Sequence, residues 1–203
     1  MRNERVLEMT VIAMFIGLIV VMATIPYIGF LITGTGFDIT TVHVPVIIGT
    51  LYGGLRFGQS QKHAGLKYGL IFGFTFGLFS LIMAFMLGAV LFQNPFVAIV
   101  PRVLFGATIW YIFKGLQMLT SNKYVYVPLT FLFATLAHTI ITISAIILSA
   151  GFYREMLGDF ANILIAVMPV NGVIEIALAV VIGGGVLVRL MASDAMQAPT
   201  DET

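Results

Sequence analysis

No cysteine occurs in this chain. Its absence excludes disulfides, thiolate metal sites and thiol nucleophiles, and leaves the compartment open. Charge is almost as scarce: 9% of the 203 residues are Asp, Glu, Lys or Arg, against 60% that are hydrophobic. Soluble domains carry about a quarter charged residues, so this balance places the chain in a membrane. The mean hydropathy of +1.06 points the same way. The ten basic residues form no patch or stripe, which excludes a nucleic-acid surface.

Catalytic motifs are missing too. There is no G-x-x-x-x-G-K-[ST], so the chain binds no ATP through a P-loop. Gly183-Gly184-Gly185 lies inside an apolar run without the lysine and hydroxyl residue, and reads as packing or a kink. H-E-x-x-H is absent, and the three histidines lack metal-ligand spacing. Neither Ser-x-x-Lys nor G-x-S-x-G occurs to support a hydrolase. The chain is therefore expected not to be an enzyme, and to hold no metal or cofactor of its own.

What is present is long apolar runs. The first, within MRNERVLEMTVIAMFIGLIVVMATIP, is longer than a signal-peptide core and ends without a small-x-small cleavage site. It reads as a membrane helix. A span needs roughly 20 apolar residues, or about 17 if short. Six candidates follow, at about 6–25, 41–56 (short), 64–86, 95–117, 125–149 and 169–190. The expected fold is an all-α integral membrane bundle of six transmembrane helices, formed by residues 1–192. Residues 193–203 are a polar tail, expected to be disordered.

Basic residues orient the bundle. Arg2, Arg5, Arg56, Lys62, Lys67, Lys114, Lys123 and Arg189 fall on the side of the termini, whereas Arg102 and Arg154 fall on the other. The positive-inside rule places both termini in the cytoplasm. The external segments 26–40, 84–94 and 150–168 are long and partly apolar, and are expected to fold back over the bundle.

Two patterns of small residues stand out. Gly65, Gly69, Gly73 and Gly77 recur every fourth residue on the third span, giving one smooth groove for close helix approach. Ala13 and Gly17 repeat the spacing once on the first span, either for packing inside the bundle or as a docking face for another membrane protein.

Polar residues gather at one depth. Asn94-Pro95 is a favourable helix start. Arg102 then lies roughly 10 Å below the outer end of the fourth span at 1.5 Å per residue. Pro101 has no N–H, so the Val97 carbonyl loses its usual helical partner. Asn171 and Glu175 share a face of the sixth span, with Glu175 roughly 9 Å in. His138 lies roughly 16 Å from the outer end of the fifth span. The second span begins with Thr40, Thr41 and His43, just after Asp38. Four spans thus offer polar groups to the outer half of the bundle, and the inner half offers almost none.

Each residue also has a purely structural reading. Arg102 could pair with Glu175 or reach the interface, and Glu175 could serve only as its partner. His43 and His138 could be satisfied core histidines, and Asn94 and Asn171 helix caps. Against this, intramembrane charges are functional candidates by default, and an arginine fork suits a carboxylate.

The segments FDITTVHVPVIIGTLYGG (37–54), NPFVAIVPRVLFGA (94–107) and NGVIEIALAVVI (171–182) resemble the substrate-binding S components of energy-coupling-factor (ECF) vitamin transporters, and among them the pantothenate-type members. The resemblance spans nearly the whole chain and keeps the motif order. It implies six helices, cytoplasmic termini and a vitamin site near the outer face, among the fourth to sixth helices and closed by external loops. It also implies a membrane scaffold subunit and two ATPase subunits as partners, so that ATP is used by other chains, and a tilting movement that carries substrate inward. The family's Ala-x-x-x-Ala docking motif on the first helix matches Ala13 and, as a departure, Gly17.

The expected function is thus vitamin capture at the plasma membrane, with pantothenate the first choice of substrate. The expected substrate-binding residues are Asp38, Thr40, His43, Asn94, Arg102, His138, Asn171 and Glu175. Arg102 would meet a carboxylate, while Asn94, Asn171, His43 and His138 would meet hydroxyl and amide groups. If Glu175 neutralises Arg102, an uncharged ligand such as a hydroxymethylpyrimidine fits as well. A stand-alone ion-coupled carrier, with Glu175 or His138 as the proton site, is the competing reading, and lacks the usual internal inverted repeat.

Overall fold

The computed structural model describes residues 2–25, 28–31, 39–58, 62–149 and 170–193. Asp38, most of the external segments 26–40 and 150–168, Arg154 and the tail beyond Ser193 lie outside the described residues. Six helices alternate in direction: α1 (Arg2–Thr24), α2 (His43–Phe57), α3 (Ala64–Leu87), α4 (Pro95–Leu119), α5 (Lys123–Leu148) and α6 (Val170–Ala192). All but α2 are long and apolar enough to cross a bilayer. The protein is a multi-pass membrane protein of all-α architecture. Its described extended backbone is limited to β1 (Phe30–Leu31) and β2 (Ile39–Thr40), paired antiparallel with Phe30 opposite Thr40.

Local chemistry explains where the helices begin and end. Asn94 caps α4: its side-chain oxygen accepts from the Phe96 N–H at 2.9 Å, and Pro95 occupies the first helical position. Asn122 does the same for α5, accepting from Tyr124 N–H at 3.0 Å. Gly88 ends α3 at φ 71°, in the left-handed region that a side chain disfavours, and its N–H bonds the Ala84 carbonyl.

The fifteen residues of α2 rise only about 22 Å, short of the roughly 30 Å hydrocarbon thickness. Its position resolves the shortfall. Eleven of the fifteen are buried, and α2 touches every other helix, so it is the core of the bundle and not a lipid-facing wall. By contrast α1 lies on the outside, with Val6, Met9, Met14, Leu18 and Val21 exposed.

The glycine face of α3 meets α4 along its length. A Cβ on Gly65 would strike the Trp110 ring, one on Gly69 the Gly106 carbonyl, one on Gly73 the Arg102 carbonyl, and one on Gly77 the Ile99 Cα at 2.8 Å. Gly106 answers Gly69: its own Cβ would strike the Gly69 carbonyl. Two backbones thus touch directly, the use of small residues that replaces hydrophobic association inside lipid. Ala13 and Gly17 behave differently. Both are exposed on α1, and a Cβ on Gly17 would meet nothing within 4 Å. They do not pack within the described bundle.

Glycine also shapes α6. Residues 179–184 form a π-helical turn, Gly183 lies against the Phe131 ring, and Gly184 lies near Pro128 of α5. The triplet therefore combines the packing and irregularity read from its sequence.

The end of the bundle that holds the start of α1 carries more polar structure than the sequence reading allowed. Glu8 of α1 accepts from Lys67 Nζ and from the Tyr68 hydroxyl of α3, both at 2.6 Å. His63 Nδ1 lies 2.9 Å from the Tyr111 hydroxyl. Depth counting from the other ends of the helices was blind to these contacts, because their members sit at the starts of α1 and α3 and towards the end of α4.

Candidate substrate-binding site

Proline chemistry builds the first wall of the site. The helical ladder of α4 is interrupted at Ile99, between Pro95–Ala98 and Val100–Leu119. Pro101 leaves the Val97 carbonyl without its backbone donor, and the Arg102 side chain takes it: Nη1 donates at 2.6 Å. Arg102 therefore neither reaches the interface nor faces lipid, and is only 4% exposed. Aromatic faces hold its guanidinium carbon, with ring centres 5.6 Å away at Phe76 of α3 and 5.0 Å away at Phe92. Its Nε has no hydrogen-bond partner.

Glu175 of α6 forms the opposing wall. Its Oε1 accepts from the Thr40 N–H at 2.7 Å, so the carboxylate ties the β2 strand to α6. No ion pair joins it to Arg102, although each feels the other's charge. Each charged group is anchored on a backbone dipole and keeps capacity for a further partner.

Between them lies a cavity of about 850 Å³ of empty space, its open mouth included. Thr40, Arg102, His138, Asn171 and Glu175 all line it, together with Ser80, Met83 and Ala84 of α3, Phe92, and Thr139 and Thr142 of α5. Apolar carbon dominates the wall, with the polar groups converging from four helices and β2.

Two expected contacts are placed elsewhere. His43 is entirely enclosed and does not line the cavity; it stacks behind His138 with ring centres 5.8 Å apart and planes 13° from parallel. Asn94 is off the wall as well, its side-chain oxygen spent on the α4 cap. The physical reasons differ: His43 sits behind the His138 ring, and Asn94 is at the very start of α4, where its side chain caps the helix. Asp38 lies outside the described residues.

Sequence reasoning missed the contribution of α3, where Ser80, Met83 and Ala84 complete the floor and side. The signal was present in the glycine face, which draws α3 against Arg102. It missed Thr139 and Thr142 too, although Thr142 shares the His138 face at a spacing of four. Below the opening is a buried polar layer. Neither ring nitrogen of His43 or His138 has a hydrogen-bond partner, nor do the hydroxyls of Thr135 and Thr142. The Thr40 carbonyl approaches the His43 ring without completing a bond. Phe76 and Phe105 pack on His138, at 5.7 and 4.9 Å between centres.

No metal-ligand cluster occurs among the described residues. The donor set, one guanidinium, one carboxylate, one imidazole and several hydroxyl and amide groups, suits an organic anion carrying hydroxyls.

No family model matches the chain. The pantothenate transporter PanT of Leuconostoc mesenteroides subsp. mesenteroides is 27% identical over 197 residues. The chain is similar to a transporter. The match covers 90% of this chain and 91% of that protein, so it embraces the whole bundle and not one motif. It is consistent with the resemblance to pantothenate-type S components seen in residues 37–54, 94–107 and 171–182.

Proposed function

We propose that the chain is the pantothenate-binding S component of an ECF-type importer, capturing its substrate at the outer face. The observation that carries this reading is the convergence of Arg102, His138, Asn171 and Glu175 on one cavity at the outer end of the bundle. The similarity to a pantothenate transporter supports the substrate. In this reading Arg102, already held at Val97, turns its remaining N–H groups to the pantothenate carboxylate. Glu175, on the opposite wall, accepts from a hydroxyl, and Asn171 and His138 meet the amide between. Thr40 belongs to the site through the N–H it gives Glu175.

Transport energy then comes from partner ATPases, docked through a membrane scaffold that seats on the exposed Ala13/Gly17 face of α1. Both termini face the cytoplasm, on the side of most basic residues.

Ligand binding to purified protein tests the site. Arg102→Ala should weaken pantothenate binding far more than Leu104→Ala, a control at a half-exposed lipid-facing position. Equal losses would remove the carboxylate from Arg102 and favour an uncharged ligand such as a hydroxymethylpyrimidine. Pantothenate uptake into liposomes by this chain alone, without ATPases, would instead establish a stand-alone carrier.

A further inference from the structure

The polar layer behind the cavity has a consequence for charge. Among the described residues, the cavity is lined by one cation, Arg102 of α4, and one anion, Glu175 of α6, which cancel. The rings packed on His138 carry no fixed charge: His43 from α2, Phe76 from α3 and Phe105 from α4. A carboxylate ligand entering this balanced site leaves it with one uncompensated negative charge in apolar surroundings, which is strongly disfavoured. One proton restores neutrality.

We propose that pantothenate capture is coupled to the uptake of one proton, taken by the His138 imidazole at the cavity wall. The inference rests on the function proposed above. Both ring nitrogens of His138 lack partners, so one is a free proton acceptor. Arg102 and His138 share Phe76 as a neighbour, at 5.6 and 5.7 Å, and the guanidinium charge reaches the imidazole. Burial first, and that charge second, oppose a cation at His138 while the site is empty of anion. A carboxylate on Arg102 offsets the guanidinium and supplies the imidazolium with a counter-ion. Glu175 already accepts from the Thr40 N–H, whereas neither ring nitrogen of His138 has a partner. His43 is enclosed behind His138, with no face to the ligand.

Titration calorimetry of the full chain in lipid nanodiscs tests this, using buffers of different ionisation enthalpy. Pantothenate should take up about one proton per molecule bound, and its dissociation constant should rise about tenfold per pH unit between pH 6 and 8. A ligand carboxylate titrates near pH 4, so the slope belongs to the protein. Panthenol, with an alcohol in place of the carboxylate, should bind with no uptake. His138→Gln should abolish the uptake; Glu175→Gln, which leaves Arg102 free to be balanced by the ligand carboxylate alone, should abolish it too. Pantothenate binding with no uptake in the wild-type chain overturns the coupling and leaves the functional reading standing. Uptake that survives in His138→Gln overturns the assignment to His138, and uptake that persists in Glu175→Gln overturns the charge balance from which it is argued. Absence of any pantothenate binding overturns both. If His138→Gln does not fold, the wild-type pH slope and the panthenol comparison decide alone.

Discussion

Replacing Arg102 by lysine keeps the charge and removes the planar fork, so it isolates what the guanidinium geometry contributes. The arginine holds the Val97 carbonyl through Nη1 at 2.6 Å while its guanidinium carbon lies over the rings of Phe76 and Phe92. A lysine ammonium is a point charge with no plane to stack, and once on the Val97 carbonyl it is poorly placed to meet a ligand carboxylate as well. The expected loss is one charge-assisted hydrogen bond, about 1.5–3 kcal/mol. At 1.4 kcal/mol per tenfold, pantothenate affinity should fall about 10- to 150-fold. Panthenol lacks the carboxylate and should lose less than about threefold by the same arithmetic. Calorimetry or filter binding on purified protein in nanodiscs measures both constants. Equal losses for the two ligands, or none for either, would refute the placement of the carboxylate at Arg102. Thermal stability offers a second check: Arg102→Ala, which orphans the Val97 carbonyl, should lower the melting temperature more than Arg102→Lys.

Four other outcomes follow from the packing and the caps. Gly69→Ala and Gly73→Ala should each destabilise the bundle by about 1–3 kcal/mol through overpacking against α4. Only Gly73→Ala, which presses on the Arg102 backbone, should also weaken pantothenate binding; denaturation and calorimetry report the two effects separately. Asn94→Ala should cost about 0.5–2 kcal/mol of stability as a lost cap. Its pantothenate affinity should stay within a few-fold of wild type, and a loss as deep as that of Arg102→Ala would return Asn94 to the site. Tyr68→Phe removes one hydrogen bond to Glu8 and should cost about 1 kcal/mol, read as a lowered melting temperature without change in affinity. Gly17→Leu adds bulk where there is open space, so binding by the isolated chain should be unchanged while co-purification of a membrane scaffold is lost.

Several features were legible without coordinates because they depend on local, additive properties. Hydropathy summed along the chain located the helices to within a few residues, as in 64–86 against Ala64–Leu87. The four-residue glycine spacing on α3 announced a close helix contact, and the freed Val97 carbonyl was deducible from Pro101 alone. Counting 1.5 Å per residue brought Arg102, His138, Asn171 and Glu175 to the outer half of the bundle, and all four line the cavity.

Tertiary structure alone decided direction around the helix axis and the identity of partners. Depth follows from residue number, but azimuth depends on which neighbouring helix packs where. That is why His43 is turned behind His138, Asn94 is consumed by a cap, and Ser80 of α3 enters the wall. It is also why Arg102 and Glu175 do not pair: each found a nearer backbone partner, at Val97 and Thr40, that no linear pattern could choose between. Sequence determined that this chain would bury charge in a membrane; the fold determined that the two charges would face each other across a hollow.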